Sequence, residues 1–331
     1  MKRILYSQTT SILNEYFTNV CKKYKTSTLQ NLDDMKKRIL QDKSIPNYND
    51  YIKYIDTIIT HYDSIIKLKQ KDFFKYHLFF PSIDLSTSQW FKSKRKNDTY
   101  KGSFYKNILN AMNYANIRNK YYAKAIKKLG IRTCVYCNAE YIPIIEQTGL
   151  SHRCHFEADH FFPKDEFPFL CISFYNLIPS CSFCNRDKSD NKSLFYLYTD
   201  NKNNLSPFSF HLDNRSIAIY KLFHNYDDLD IKFNVNNPKD KKILTNHEER
   251  FHITEIYRAF KDEAEEILWK AETINASYAS QLKKSFITVF GNLGENEIRY
   301  LYGFYDKEED IHKRPLTKMK QDIAKQLGIL K

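Results

Sequence analysis

Two Cys-x-x-Cys pairs, Cys134/Cys137 and Cys181/Cys184, constrain the fold of this chain more than any other feature. Each pair presents two thiolates from one tight turn, and two such turns complete a tetrahedron around one Zn²⁺. Between Cys137 and Cys181 lie 43 residues, more than a plain zinc ribbon holds, so the site is expected to enclose a subdomain. Four thiolates leave no open position for water. The zinc is therefore expected to be structural, adding folding energy and locking the two turns to each other. Cys21, Cys154 and Cys171 have no partner at metal spacing and read as small hydrophobes. Seven cysteines, an odd number with four at metal spacing, argue for a reducing cytoplasm rather than a disulfide framework.

The 331 residues are 42% hydrophobic, enough to build cores. No run approaches the roughly 20 apolar residues of a membrane span, so no membrane partner is expected. Met1-Lys2-Arg3 is not followed by the apolar core of a signal peptide. The net charge of +13 is unevenly placed. Residues 1–130 hold 25 Lys/Arg against 10 Asp/Glu, residues 131–200 hold 6 against 9, and residues 201–331 hold 21 against 20. The basic excess therefore sits in the first third. It suits polyanion binding through phosphate contacts and counterion release, and it equally suits a solvated helical face.

Three regions are expected. Residues 1–130 read as a basic helical region for nucleic acid or a partner, with apolar spacing from Tyr51 to Ile66 and again over about 103–129, where Gly130 is placed to end the helix. Between these runs, Trp90-Phe91-Lys92-Ser93-Lys94-Arg95-Lys96 interleaves aromatic and basic residues; Lys92, Lys94, Arg95 and Lys96 are candidate nucleic-acid contacts, with a charged loop as the competing reading. Residues 131–200 form the zinc-containing region: Ala139–Ile145 as a strand, His152–Ala158 as the strand returning beside it, and a helix from near Cys184. Residues 201–331 read as short strands (Ser216–Tyr220, Leu229–Val235) and then helices near 247–273, 275–292, 294–303 and 316–327, for packing or partner docking.

The motif Cys134-x-x-Cys137, Asp159-His160, Asn176-Leu177, Cys181-x-x-Cys184-Asn185-x-x-Lys188 resembles the HNH endonucleases over about residues 131–190. The resemblance implies an α+β, mostly helical protein with a ββα-metal core beside the four-cysteine zinc site. More narrowly, Cys134-Val135-Tyr136-Cys137, Asp159-His160-Phe161-Phe162-Pro163-Lys164, Tyr175–Cys181 and Arg314-Pro315-Leu316-Thr317-Lys318 are similar to the HNH component of Septu and of retron-associated anti-phage systems. Such proteins are implied to act with an ATPase partner of the ABC/SMC type. No phosphate-binding loop of the Walker type occurs in this chain, so ATP hydrolysis would come from elsewhere.

The chemistry implied follows from residue types. Phosphodiester hydrolysis needs an activated water, charge stabilisation and help for the departing oxyanion, and one hard divalent cation serves the last two. Asp159 would supply an anionic oxygen and Asn185 a neutral one, which favours Mg²⁺ or Mn²⁺. His160 would be the general base. By resemblance Asn176 holds the loop carrying His160. The last position is often His in this family; Asn185 in its place bears on metal preference. Lys188 and Arg186 are candidate phosphate contacts, with solvated helix charges as the alternative. The leading expectation is a metal-dependent endonuclease acting on DNA. Two others remain: a non-catalytic zinc module that binds nucleic acid or protein, and a nuclease acting on RNA, including tRNA.

Overall fold

The structure, a computed structural model, describes residues 1–41, 46–87, 102–146, 152–189, 193–274, 276–291 and 297–330. Lys92, Lys94, Arg95 and Lys96 lie outside the described residues. The described chain is mostly helical, with small two-stranded sheets.

Strand β1 (Ile4–Leu5) leads into α1 (Tyr6–Gln41), a helix of 36 residues, and α2 (Tyr48–Ile66) packs along it. In α2 the spacing of Tyr51, Tyr54, Ile55, Ile58, Tyr62, Ile65 and Ile66 puts every one of them on the buried face, as amphipathic periodicity requires. A short helix, α3 (Phe73–His77), follows. The helical run expected over 103–129 is present but divided. Asn113 takes a left-handed conformation (φ 55°) between α4 (Phe104–Ala111) and α5 (Tyr114–Ile117), and a π-helical turn at Arg118–Tyr122 precedes α6 (Ala123–Lys128). Gly130 ends the run with φ 70°, a conformation that costs glycine nothing.

The strands β2 (Ile144–Glu146) and β3 (His152–Cys154) form the hairpin expected near the first cysteine pair, but it is short. Before it, Thr133 and Tyr141 make an isolated bridge. Pro143 has no amide to extend the ladder, so the expected strand pair of Ala139–Ile145 with His152–Ala158 stops there. The segment with Asp159 and His160 forms a separate strand, β4 (Glu157–His160). It runs antiparallel to β5 (Leu177–Ser180), opposing Asp159 to Ile178 and His160 to Leu177. Helix α7 (Ser182–Lys188) starts directly after Cys181, whose sulfur accepts a hydrogen bond from the Cys184 amide.

Strand β6 (Tyr198–Thr199) pairs with β1 in parallel, and β7 (Phe208–Leu212) pairs with β8 (Ile231–Val235). Between the last two, the expected strand over Ser216–Tyr220 is instead helix α8 (Asn214–Phe223). Asp213 caps it, accepting hydrogen bonds from the Arg215 and Ser216 amides, and this cap outweighs the β-propensity of the following residues. The run expected over 247–273 divides into α9 (Lys241–Phe251), α10 (Ile253–Arg258) and α11 (Lys261–Thr273), with His252 left-handed at the first break. Helices α12 (Ala276–Phe290), α13 (Glu297–Tyr302) and α14 (Thr317–Gln326) complete the chain.

One apolar cluster runs through all three regions, from Met1 through Tyr16, Ile58, Phe174 and Phe208 to Ile323. Neither residue 130 nor residue 200 marks a break in it. The first third docks directly on the motif region: Tyr16 donates to the Ile172 carbonyl, Tyr122 to that of Leu177, and Thr9 pairs with Tyr175. No helix among the described residues is long and apolar enough to cross a membrane.

Candidate metal centre and active site

The four cysteines of the two pairs converge, with their sulfur atoms all within 4.8 Å of one another and every residue buried. Sulfurs bound to one tetrahedral zinc are about 3.8 Å apart, given Zn–S bonds of about 2.3 Å, so the cluster fits that ion. Burial, above all, pushes the Cys134 thiol well above its ordinary value. Four ionised thiols in one buried cluster require a bound cation to offset both desolvation and mutual repulsion.

The rest of the molecule braces the first cysteine turn. Asn138, directly after Cys137, is left-handed (φ 55°) and fully buried. Its amide nitrogen donates to Thr133 Oγ1 and to the Ile311 carbonyl, both at 2.9 Å, and its Oδ1 accepts from the Lys318 amide at 3.0 Å. Its own carbonyl accepts from the Leu316 amide at 2.7 Å. Asn138 thus satisfies amides at the start of α14, groups that a helix cannot satisfy itself. This gives Arg314-Pro315-Leu316-Thr317-Lys318 a physical task. Tyr257 donates to the Cys137 carbonyl, and His247 Nε2 lies 2.8 Å from that of Tyr136.

Asp159 sits on β4, 4% exposed. Its Oδ2 accepts a hydrogen bond from the Tyr136 hydroxyl at 2.7 Å, and its Oδ1 lies 3.1 Å from the Lys188 ammonium. Burial raises the Asp159 carboxyl above its ordinary value, while Lys188 and Tyr136 pull it back. Tyr136 lies inside the first Cys-x-x-Cys, so the acid is tethered to both cysteine pairs: through Tyr136 to one, and through α7 to the other.

Lys188, a candidate phosphate contact in the sequence, lies inside the protein rather than on a solvated helix face. It is fully buried, its ammonium shared between Asp159 Oδ1 and the His160 carbonyl, 2.9 Å away. A lysine at this depth persists because it is paired. Arg186 remains exposed on the outer side of α7, over the Phe183 ring. Asn185 is partly exposed and precedes Lys188 by three residues, which puts both on neighbouring positions of one helix face.

His160 is 5% exposed, with its ring 5.1 Å from that of Tyr114. Nε2 lies 3.4 Å from the Cys171 carbonyl. A carbonyl only accepts, so the contact assigns the proton to Nε2 and leaves Nδ1 as the free acceptor. Burial, followed by the nearby charge of Lys164, lowers the His160 pKa to about 3, which keeps the ring neutral at pH 7. Asn176 takes both backbone groups of Phe162: its Oδ1 accepts from the Phe162 amide at 2.8 Å, and its Nδ2 donates to the carbonyls of Phe162 and Leu170 at 3.2 and 3.3 Å. It fixes the chain two residues after His160.

Several of these residues carry no sequence signal strong enough to single them out. Tyr136 is visible only as a filler between cysteines, and His247 and Tyr257 reach the cysteine turn from more than a hundred residues away. Arg118, which bonds Glu157 Oε2 and the Phe156 carbonyl beside β4, is one basic residue among many in the sequence.

No family model matches the chain, and no solved structure matches it. The chain is similar to the Septu protein PtuB of Bacillus thuringiensis, 33% identical over 73 residues. The match covers 22% of this chain and 25% of that protein.

Proposed function

We propose that the chain is a metal-dependent endonuclease of the HNH type, acting on DNA in defence against phage. The observation that carries the reading is the local architecture: an acid and a neutral histidine side by side on β4, antiparallel β5, and a helix that begins at the second cysteine pair and bears Asn185. Two strands and a helix framing an acid and a histidine are the scaffold such a site uses. The similarity to a Septu protein supports the defence setting.

In this reading Nδ1 of His160 accepts a proton from the attacking water. A phosphate beside the ring raises the imidazole's proton affinity from its depressed value. Asn176 holds the chain next to His160 so that the ring keeps its place. Asp159 and Asn185 would hold Mg²⁺ or Mn²⁺; one carboxylate and one amide with water completing the shell is a donor set such ions accept. When bound, the cation supplies charge stabilisation at the phosphate and the leaving oxygen. Lys164 and Arg118 add positive charge near His160. The zinc cluster holds Tyr136 and α7 around Asp159.

Asp159 and His160 are too buried to meet a duplex phosphate as they stand. The site would therefore have to open before cleavage, and the ATPase partner of the ABC/SMC type implied by the resemblance to Septu-type proteins is the agent proposed to open it. The test incubates the purified chain with duplex DNA, single-stranded DNA and RNA, with Mg²⁺, Mn²⁺ or chelator, alone and with such an ATPase and ATP. Cleavage of duplex DNA that needs a divalent cation is expected. His160→Ala should lose about 10²–10⁴-fold of it with nucleic-acid binding retained. Cleavage of RNA alone would move the substrate, and an unchanged His160→Ala rate would end the reading.

A further inference from the structure

A cavity of about 350 Å³ opens at the helix break that follows α4. Lys106, Leu109 and Asn110 line it from α4, and Tyr114 and Asn116 from α5. Asn113, left-handed between them, is committed to Thr28 Oγ1 and the Ala111 carbonyl, contacts that fix the break. Tyr114 joins the cavity to the candidate active site: it lines the cavity, and its ring lies 5.1 Å from that of His160. One side chain therefore separates the histidine from whatever fills the cavity.

The lining states what kind of ligand fits. The exposed side chains of Asn110 and Asn116 make no hydrogen bond among the described residues. Each offers a donor and an acceptor side by side, the pattern that meets a nucleobase edge. Lys106 is exposed, its ammonium 5.9 Å from the Tyr105 ring, and among the described residues no carboxylate pairs with it. The surrounding charge has one sign: residues 101–130 hold seven Lys/Arg and no Asp/Glu. Arg118 pairs with Glu157, and Lys124 and Lys128 with Glu15, but Lys106 and Lys120 keep their charge for a ligand. A phosphate answers that charge, and a base answers the amides. The volume lies at the lower end of the range for small-ligand sites, about 300–1,000 Å³, which suits one nucleotide and not a duplex.

We propose that this cavity takes one nucleotide of a DNA strand, swung out of the base stack beside the phosphate that is cut. Its base lies between Asn110 and Asn116, and its phosphate meets Lys106. The inference rests on the nuclease reading for the role of His160 and adds the preferred substrate, DNA that carries an unpaired nucleotide. Swinging a base out costs unstacking and unpairing energy, and the cost is least where the base has no partner. A duplex with a one-nucleotide bulge has met much of that cost before it binds.

Fluorescence anisotropy on the full chain reads the outcome, with a continuous DNA duplex and the same duplex bearing a one-nucleotide bulge. Divalent cation is left out, so binding is measured without cleavage. The wild type should bind the bulged duplex about tenfold more tightly than the continuous one. The double variant Asn110→Ala/Asn116→Ala, changed at two exposed positions, should bind both DNAs alike, with unchanged circular dichroism and zinc content. Lys106→Gln should weaken both complexes and lower the slope of log affinity against log salt by about one. Equal binding of the two DNAs by the wild type would overturn the proposal, as would a preference that survives in the double variant. An unchanged salt slope in Lys106→Gln would overturn the phosphate's place. The two readings fail separately: a chain that cuts DNA without the preference loses the nucleotide site alone, and one that shows the preference without cutting loses the nuclease reading.

Discussion

The two carboxylate oxygens of Asp159 have different partners, and the difference provides a test of the proposed Mg²⁺ or Mn²⁺ site. Tyr136 donates a neutral hydrogen bond to Oδ2 and leaves that oxygen lone pairs to spare, whereas Lys188 sets a full positive charge 3.1 Å from Oδ1. An ammonium and a dication compete for the same anion. Lys188→Met should therefore do two opposite things. Without divalent cation it leaves a buried carboxylate unpaired, at a cost of about 3–5 kcal/mol in stability. With Mn²⁺ it should bind about tenfold more tightly than the wild type, because one repelling charge has gone. Thermal melting with and without Mn²⁺ checks both: the cation should raise the variant's midpoint more than the wild type's. Equal shifts would show that the ion does not meet Asp159.

At the scale of elements, the first cysteine turn and α14 depend on each other through Asn138. Asn138→Gly keeps the left-handed backbone but removes three side-chain hydrogen bonds, among them the one that satisfies the buried Lys318 amide. It should cost about 1–3 kcal/mol in urea unfolding and speed the loss of zinc to a chelator; unchanged zinc release would separate α14 from the cluster. The contact also shows what is legible in a sequence. The cysteines, Asp159-His160 and the helical runs are readable because each is a local pattern: a metal spacing, a dipeptide, an apolar period. The breaks at Asn113 and His252 are not, because a left-handed residue leaves the apolar period on either side intact. Ser216–Tyr220 misleads because alternating apolar residues fit a strand as well as one side of a helix, and only the Asp213 cap decides. Lys188 reads as a surface charge in the sequence because its burial depends on Asp159, 29 residues away.

Among the described residues three histidines are buried, in three different settings: His160 on β4, His247 on α9 beside Tyr136, and His312 ahead of α14. Burial lowers each to a pKa of about 3, against an ordinary value near 6.5. A base whose pKa falls on folding stabilises the folded state while it is neutral. Its contribution is complete above pH 6.5 and is lost as the pH falls toward 3, because the unfolded chain takes up protons that the folded chain refuses. Each histidine adds a slope of up to about 1.4 kcal/mol per pH unit. Asp159 and Asp322, raised by burial, act in the opposite sense at the acid end, so the loss should be steepest between about pH 6.5 and 5. Acid also strips thiolates of zinc, which obscures a simple reading of the wild type. His247→Gln isolates the histidine contribution, because its amide nitrogen can still donate to the Tyr136 carbonyl but does not titrate. Urea midpoints measured from about pH 7.5 to 5, with zinc in excess, should fall less steeply in the variant by roughly one proton's worth. Parallel curves would mean that His247 is protonated in the folded protein and that the enclosure of the cysteine turn by α9 is looser than its contacts with Tyr136, Phe208 and Phe251 require.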